Sequence, residues 1–274
     1  MKILKTYNIF NETNIDIYTA FKLDNENYIL EYISDYSNDI NIIIDRDTLP
    51  INIISSYESM KDNVLDNPSL DVTLRGEYGK TLLMFACQYQ QLDSVKKILK
   101  HKQNINELDA YNNDALIWLG PEHEIFNITE YYELTELMLK NGAKPNQKNI
   151  NDLSALEMIY QQISEIIYEF SDSIKFIDLI KLYFNYGADV KYNDIIHLIN
   201  SIQSFDKIQE FIEIIEFYIL HDYKITYDFV EKLYNHLIVL NKDNESILKE
   251  YIKTNFNVFF DKYMKRKKSK KFNL

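Results

Sequence analysis

One segment of the chain recurs at a spacing near 33 residues, and this recurrence limits the possible folds more than any other feature. The segment Leu70–Asn106 reads LDVTLRGEYGKTLLMFACQYQQLDSVKKILKHKQNIN. Counting 33 residues on from Gly79, Asn112 takes the same place in DAYNNDALIWL, and after a further 40 residues Asp152 takes it in NINDLSALEMI. Self-similarity at this period indicates a stack of short supersecondary units, each of which buries the apolar face of its neighbour.

The turn and the helix end of the repeat both have residues suited to their places. Gly79 is predicted to adopt a left-handed backbone, and Asn112 keeps that conformation because Asn tolerates it best among non-glycine residues. Gly142 and Gly187 follow LMLKN and LYFNY, where a glycine is expected just past a helix C-terminus. The hydroxyl of Thr81 is predicted to cap the helix that starts beside it.

Several parts of the segment Leu70–Asn106 together resemble one ankyrin repeat. They are the approach Asp71-Val72-Thr73-Leu74-Arg75, the turn Gly79-Lys80-Thr81-Leu82-Leu83, the small Ala86 two turns from Val95, and the pair Ile98-Leu99. The resemblance implies an all-α fold, an ankyrin-repeat solenoid of stacked helix-turn-helix units with short hairpin-like turns. A tetratricopeptide or other helical solenoid has a similar period, but it needs neither the Gly-x-Thr turn nor the extended exit. The chain resembles stand-alone ankyrin proteins with degenerate repeats, the type found in large DNA viruses, intracellular bacteria and protozoa.

The repeat register divides the chain into four parts. We expect degenerate N-terminal repeats or a cap in 1–68, ankyrin repeats in 69–226, a C-terminal helical cap in 227–263 and a basic tail in 264–274. The predicted units lie near 79–111, 112–151, 152–191 and 192–226. Extra residues in unit 152–191 predict a protruding helical pair.

Charge separates the tail from the body of the chain. The formal net charge is −12, yet six Lys and Arg residues lie between Lys265 and Lys271, which leaves residues 1–264 at −18. An acidic surface repels phosphate backbones and attracts basic partners, so we expect no nucleic acid on the repeat body. The tail is interpreted as a solubilising end, a nuclear import signal, or a contact for anionic lipid or nucleic acid.

The remaining composition bears on the compartment. The one cysteine, Cys87, excludes an intramolecular disulfide and fits a reducing environment. The opening MKILKTYNIF lacks the apolar run of a secretory signal, and the most apolar window, Phe211–Leu220, is too short and too acidic to cross a bilayer. The expectation is a soluble cytoplasmic protein without a membrane contact, with the nucleus as the alternative because of the tail.

Signals for chemistry are weak throughout the sequence. Gly79-Lys80-Thr81 could end a phosphate-binding loop, but Leu74 stands where that loop needs its first glycine. The five histidines show no metal-ligand spacing. Acidic residues recur every three or four positions, as at Glu210, Glu213 and Glu216, which is typical of solvated helix faces. We therefore expect no enzymatic activity, no cofactor and no metal.

The ankyrin resemblance implies a binding surface at the turn tips and on the concave face of the first helices. Carried onto this sequence, the predicted partner-binding residues are Glu77, Tyr78, Lys80, Phe85, Tyr89, Ala110, Tyr111, Asn113, Trp118, Ile150, Asn151 and Leu153. Aromatic residues at such places provide large contact area with few rotamers to lose. The insertion Pro121–Tyr132 is a second candidate surface, with Phe126 and Tyr131 on an irregular connection.

The function that the resemblance implies is protein binding without catalysis. The expected partner is a protein, for example a host factor that presents a basic surface. One alternative is a substrate adaptor of a ubiquitin ligase, although residues 229–263 lack the proline-bearing pattern of the corresponding C-terminal segment. A structural or self-associating protein is the other alternative.

Overall fold

The computed structural model describes residues 16–44, 46–101, 104–120, 128–161 and 173–189, with single positions at 250, 253, 254, 261 and 265. The chain divides into two compact units. The first unit contains the described residues up to Leu119 together with 133–144 and 148–151. The second contains Gly120, 128–132, 145–147 and the described residues from Asp152 onward.

Short helices form most of the first unit. They are α1 (Ile17–Lys22), α2 (Glu26–Ser34), α3 (Leu49–Ser56), α4 (Lys61–Leu65), α5 (Leu82–Gln88), α6 (Leu92–Ile98) and α7 (Ala115–Trp118). A two-stranded antiparallel hairpin, β1 (Ile43–Ile44) and β2 (Asp47–Thr48), precedes α3, with Ile43 opposite Thr48. The next helix, α8 (Ile128–Lys140), supplies residues to both units.

The helices of the first unit pack as successive hairpins. Helix α1 packs on α2, α3 on α4 and α5 on α6, while α3, α5 and α7 form one row and α2, α4 and α6 form the other. Small and branched side chains fill the space between them, since Ala86, Val95 and Ile98 are fully buried. This arrangement confirms the predicted all-α fold of stacked helix-turn-helix units.

Local signals in the sequence fix where the helices begin and turn. The Thr81 hydroxyl accepts the amide of Met84 at 3.3 Å, so the predicted cap of α5 is confirmed. The predicted left-handed positions are confirmed as well, with φ of 78° at Gly79 and 58° at Asn112. Gly142 and Gly187 have φ of 92° and 83°, as predicted for residues just past a helix end.

Upstream of the repeat, Thr48 stands at the position equivalent to Thr81. It is the N-cap residue of α3, but its side chain makes no capping hydrogen bond. Pro50 in the first turn of α3 needs no amide partner there, so it suits the helix start. The repeat boundaries assigned from the sequence stay predictions.

The second unit is described over fewer residues. Residues 155–161 are helical, and α9 runs from Ser173 to Asn185. Tyr131 and Tyr183 are fully buried there, with their hydroxyl oxygens 3.5 Å apart. The predicted protruding pair in 152–191 depends on residues 162–172, which lie outside the described residues, as do unit 192–226 and most of the predicted cap and tail. None of the described helices has the length and apolar character needed to span a bilayer.

Candidate functional site

Successive turns of the first unit are joined through their backbones. The amide of Ala110 donates to the carbonyl oxygen of Tyr78 at 2.7 Å, and the amide of Ile150 donates to the carbonyl oxygen of Tyr111 at 3.0 Å. Two turns are also closed internally, by the 2.8 Å bond from the Gly76 amide to the Lys80 carbonyl oxygen and the 3.0 Å bond from the Asp109 amide to the Asn113 carbonyl oxygen. Because backbone atoms make these bonds, the side chains at the tips are left to face solvent.

Three large side chains are exposed at these tips. Tyr78 is 52% exposed, Tyr111 is 41% exposed and Ile150 is 58% exposed. The rings of Tyr78 and Tyr111 lie 5.6 Å apart between centroids, tilted by 46°. A tilted aromatic pair at this distance is mutually attractive, so the two tyrosines present one continuous apolar surface.

Tyr78 has an unusual backbone for an aromatic residue. Its φ of 57° and ψ of 18° lie in the left-handed region, where a Cβ-bearing residue is disfavoured by roughly 1–2 kcal/mol. The Glu77 carboxylate beside it raises the pKa of the Tyr78 phenol above its ordinary value. Glu77 is itself paired with Arg46 at 2.7 Å, and its amide donates to the Asp47 carboxylate at 2.8 Å.

The helix face next to the tips is built around a lysine. The Lys80 ammonium lies 3.5 Å from the centroid of the Trp118 ring and 5.0 Å from that of Phe85, and it donates to Gln88 Oε1 at 3.2 Å. Trp118 is half-buried, whereas Phe85 is only 8% exposed. Phe85 therefore packs beneath Lys80 and does not offer an exposed face of its own.

The orientation of Trp118 is set by Asp109. The indole Nε1 donates to Asp109 Oδ2 at 2.9 Å, and the other oxygen accepts the amides of Tyr111 and Asn113, each at 2.8 Å. The Asn113 amide side chain also donates to Oδ2, at 3.2 Å. One buried carboxylate thus fixes both the second turn and the ring on the adjoining helix. The sequence analysis did not predict this role of Asp109.

Comparison with known proteins identifies the family of the best-formed repeat. A family model described as ankyrin repeat matches residues 78–110. Residues 78–110 are an ankyrin repeat. A solved ankyrin repeat domain from Acinetobacter baumannii AYE is similar at 19% identity over 55% of this chain and 70% of that chain, with a TM-score of 0.44. No curated protein sequence matches the chain.

The ankyrin repeat at 78–110 and its neighbours share one further contact that sequence reasoning missed. Asn106 donates from Nδ2 to the carbonyl oxygen of Gly142 at 3.0 Å and accepts the amide of Lys144 at 2.9 Å. Asn41 bonds Ser69 and Asp71 in the same two-sided way, at 2.7 and 2.8 Å. In the second unit Asn146 does so with Gly187 and Asp189, at 2.8 and 2.6 Å. The recurrence of Asn at the repeat exit was the available signal.

The other predicted partner-binding residues differ in accessibility. Tyr89, Ala110 and Asn151 are exposed, while Glu77, Lys80, Asn113 and Leu153 are half-buried. Leu153 belongs to the second unit, whereas every other residue of the predicted set belongs to the first.

The second predicted surface, Pro121–Tyr132, is described only from residue 128. Phe126 lies outside the described residues. Tyr131 was placed on an irregular connection, and this was wrong: it lies within helix α8 and is fully buried. Leu134 and Met138 of α8 are also fully buried, and their helical spacing from Tyr131 places all three side chains on one face of the helix. The acidic positions Glu210, Glu213 and Glu216 also lie outside the described residues.

In the part of the chain that the structure describes, no three His, Cys, Asp or Glu side chains converge to hold a metal ion. Cys87 is buried, and burial raises the pKa of its thiol far above the ordinary value. Its position on α5, beside Ala86, is that of a packing residue.

Proposed function

We propose that this chain is a non-catalytic binding module that holds a protein partner on the turn tips and the adjoining helix face of its first unit. Ankyrin repeats are generally protein–protein interaction modules, and one such repeat occupies residues 78–110. The partner-binding surface consists of Tyr78, Tyr111 and Ile150 at the tips, Tyr89 and Trp118 on the helix face, and Lys80 of the turn, whose side chain lies over that face.

The observation that carries this proposal is the exposed pair of tyrosines. Tyr78 keeps a bulky aromatic side chain at a left-handed position and exposes half of it to solvent. Unfavourable backbone conformations concentrate at binding sites, where the side chain is retained for its contacts rather than for stability. Neither ring is needed to join the turns, because the backbones do that.

The adjacent surface also fits a protein ligand. Exposed tyrosines are favoured as interface hot spots because they bury a large area while losing few rotamers. The polar side chains around them, Glu77, Asn113 and Asn151, can supply the hydrogen-bonding rim of an interface. The acidic charge of residues 1–264 favours a partner with a basic surface.

The test is affinity capture from eukaryotic cell extract followed by mass spectrometry and by a binding titration of each purified candidate. The Tyr78→Ala, Tyr111→Ala double variant is compared with the wild type. The matched control is Tyr18→Ala, Tyr36→Ala, which removes two tyrosines of similar exposure, 47% and 54%, away from the tips.

A partner that binds the wild type and the control but loses at least tenfold in affinity for the tip variant supports the proposal. Equal binding by all three proteins contradicts the tip surface. Ligase subunits among partners that respond to the tip variant would identify the module as an adaptor. Capture of the chain itself through the tips would identify self-association instead.

A further inference from the structure

The helix face beside the tips already binds a cation, supplied by the chain itself. The Lys80 ammonium sits 3.5 Å from the Trp118 centroid, 5.0 Å from the Phe85 centroid and 3.2 Å from Gln88 Oε1. Aromatic faces within about 6 Å attract a cation through their quadrupole, most strongly for tryptophan. The arrangement is therefore a cation site, and the Lys80 ammonium occupies it.

A buried carboxylate bonded to the indole strengthens the attraction for a cation at this place. Asp109 is 5% exposed and accepts the indole N–H of Trp118, which increases the electron density of the ring. Charges in such low-dielectric surroundings act more strongly than they would in water.

We infer that Trp118, Phe85 and the carboxylate of Asp109 form a subsite for an arginine side chain of a protein partner, which displaces Lys80. This inference rests on the proposed function and adds the chemistry of the partner to it. A guanidinium is planar and weakly hydrated, so it stacks on an indole at less desolvation cost than an ammonium does. Displacement of the half-buried Lys80 side chain requires no helical residue to move, since Lys80 precedes the N-cap residue Thr81 of α5.

The sequence provides a direct probe of this site, because Trp118 is the only tryptophan in the chain. Its fluorescence is followed while a short Gly/Ser peptide with one central arginine is added at constant ionic strength. The control peptide has citrulline in place of arginine, which keeps the planar shape and removes the charge. Two variants are titrated beside the wild type: Lys80→Gln, and the matched exposed-lysine control Lys96→Gln.

The expected result is a saturable change in Trp118 fluorescence with the arginine peptide and none with the citrulline peptide. Removing the internal competitor in Lys80→Gln should tighten binding about fivefold, the equivalent of one cation–π contact. Lys96→Gln should behave as the wild type. Since Lys80 lies outside the helices and Gln keeps a side chain of similar length there, the variant is expected to keep the fold, and its far-UV circular dichroism is recorded as a check.

Three outcomes would overturn the inference. They are an equal response to both peptides, no response of the wild type and Lys80→Gln up to the solubility of the peptide, and no tightening in Lys80→Gln. The proposed function fails separately, through the tyrosine variants described above. A partner that needs Tyr78 and Tyr111 but ignores Lys80→Gln leaves the binding module intact and removes only the arginine subsite.

Discussion

The amide of Ala110 donates a 2.7 Å hydrogen bond to the carbonyl oxygen of Tyr78, so two successive turns are joined through main-chain atoms alone. The side chains of Tyr78 and Ala110 can therefore vary without loss of this hydrogen bond. Tyr111 repeats the relationship with the amide of Ile150 at 3.0 Å. This separation of scaffold and surface lets stability and binding be tested independently.

Replacing Tyr78 by asparagine should stabilise the fold while weakening binding. Asn tolerates the left-handed backbone of Tyr78, φ 57°, better than a bulky aromatic residue does, so we expect a gain of about 1 kcal/mol. Urea denaturation followed by circular dichroism gives the free energy of unfolding. Tyr111 lies outside the left-handed region, so Tyr111→Asn should show no such gain. An equal gain in both variants would mean that the backbone of Tyr78 is not the cause.

The buried carboxylate of Asp114 should make stability depend on pH. Burial raises its pKa from 3.8 to about 6, so the folded chain binds this proton more tightly than the unfolded chain. Its contribution to stability is full below pH 4 and is lost as the pH rises through 6. Asp114→Thr copies the residue at the equivalent position, Thr81, and should be more stable at pH 7 by on the order of 2–3 kcal/mol.

The measurement for Asp114 is the free energy of unfolding at several pH values between 4 and 7.5. The difference between Asp114→Thr and the wild type should grow with pH and level off above about pH 7. Asp93→Thr serves as the control, because that carboxylate side chain is 93% exposed. A difference that does not change with pH would show that Asp114 titrates normally.

Removing the side chain of Asn106 should weaken the first unit. Both of its hydrogen bonds, to the Gly142 carbonyl oxygen and from the Lys144 amide, join one repeat exit to the next. Asn106→Ala is expected to lower the free energy of unfolding by about 2 kcal/mol. Asn27→Ala, at an exposed position on α2, should change it by less than about 0.5 kcal/mol. Similar losses in both variants would show that the Asn106 hydrogen bonds do not stabilise the first unit.

Cys87 should react with a thiol reagent only when the first unit opens. The side chain is fully buried, and its Sγ lies 3.9 Å from Met138 Sδ. Burial also raises the pKa of the thiol, which lowers the fraction of reactive thiolate. Labelling with Ellman's reagent in buffer should therefore be far slower than for a free cysteine and should accelerate as urea is added. Rapid labelling in buffer would contradict the described packing of α5.

Local requirements of the backbone were predictable from the sequence at particular residues. Gly79 and Asn112 were predicted in the left-handed region, and Thr81 as a helix cap, because each depends only on neighbours a few positions away. Tyr78 shows the limit of this reasoning. Its left-handed φ could not be predicted, since nothing about a tyrosine favours that conformation and the joined turns impose it.

Contacts between distant residues were not predictable in the same way. The bond from Trp118 Nε1 to Asp109 and the placement of Lys80 over the indole depend on how one repeat rests on the next. The burial of Tyr131 was missed because the helix α8 that contains it begins inside what the sequence suggested was an irregular connection. Asn106 and Asn146 recur in the sequence, but recurrence alone does not say which backbone atoms they bond.

The sequence by itself determined the class of fold, since apolar spacing, turn residues and capping residues are local signals repeated at one period. It also placed the turn tips, and therefore the tyrosines that the proposed function depends on. Only the tertiary structure decided which candidate side chains face solvent, because a helix face becomes buried or exposed through the neighbour packed on it. Phe85 and Trp118 are the clearest case: from the sequence the two were alike, yet stacking buries one and leaves the other half-open beneath Lys80.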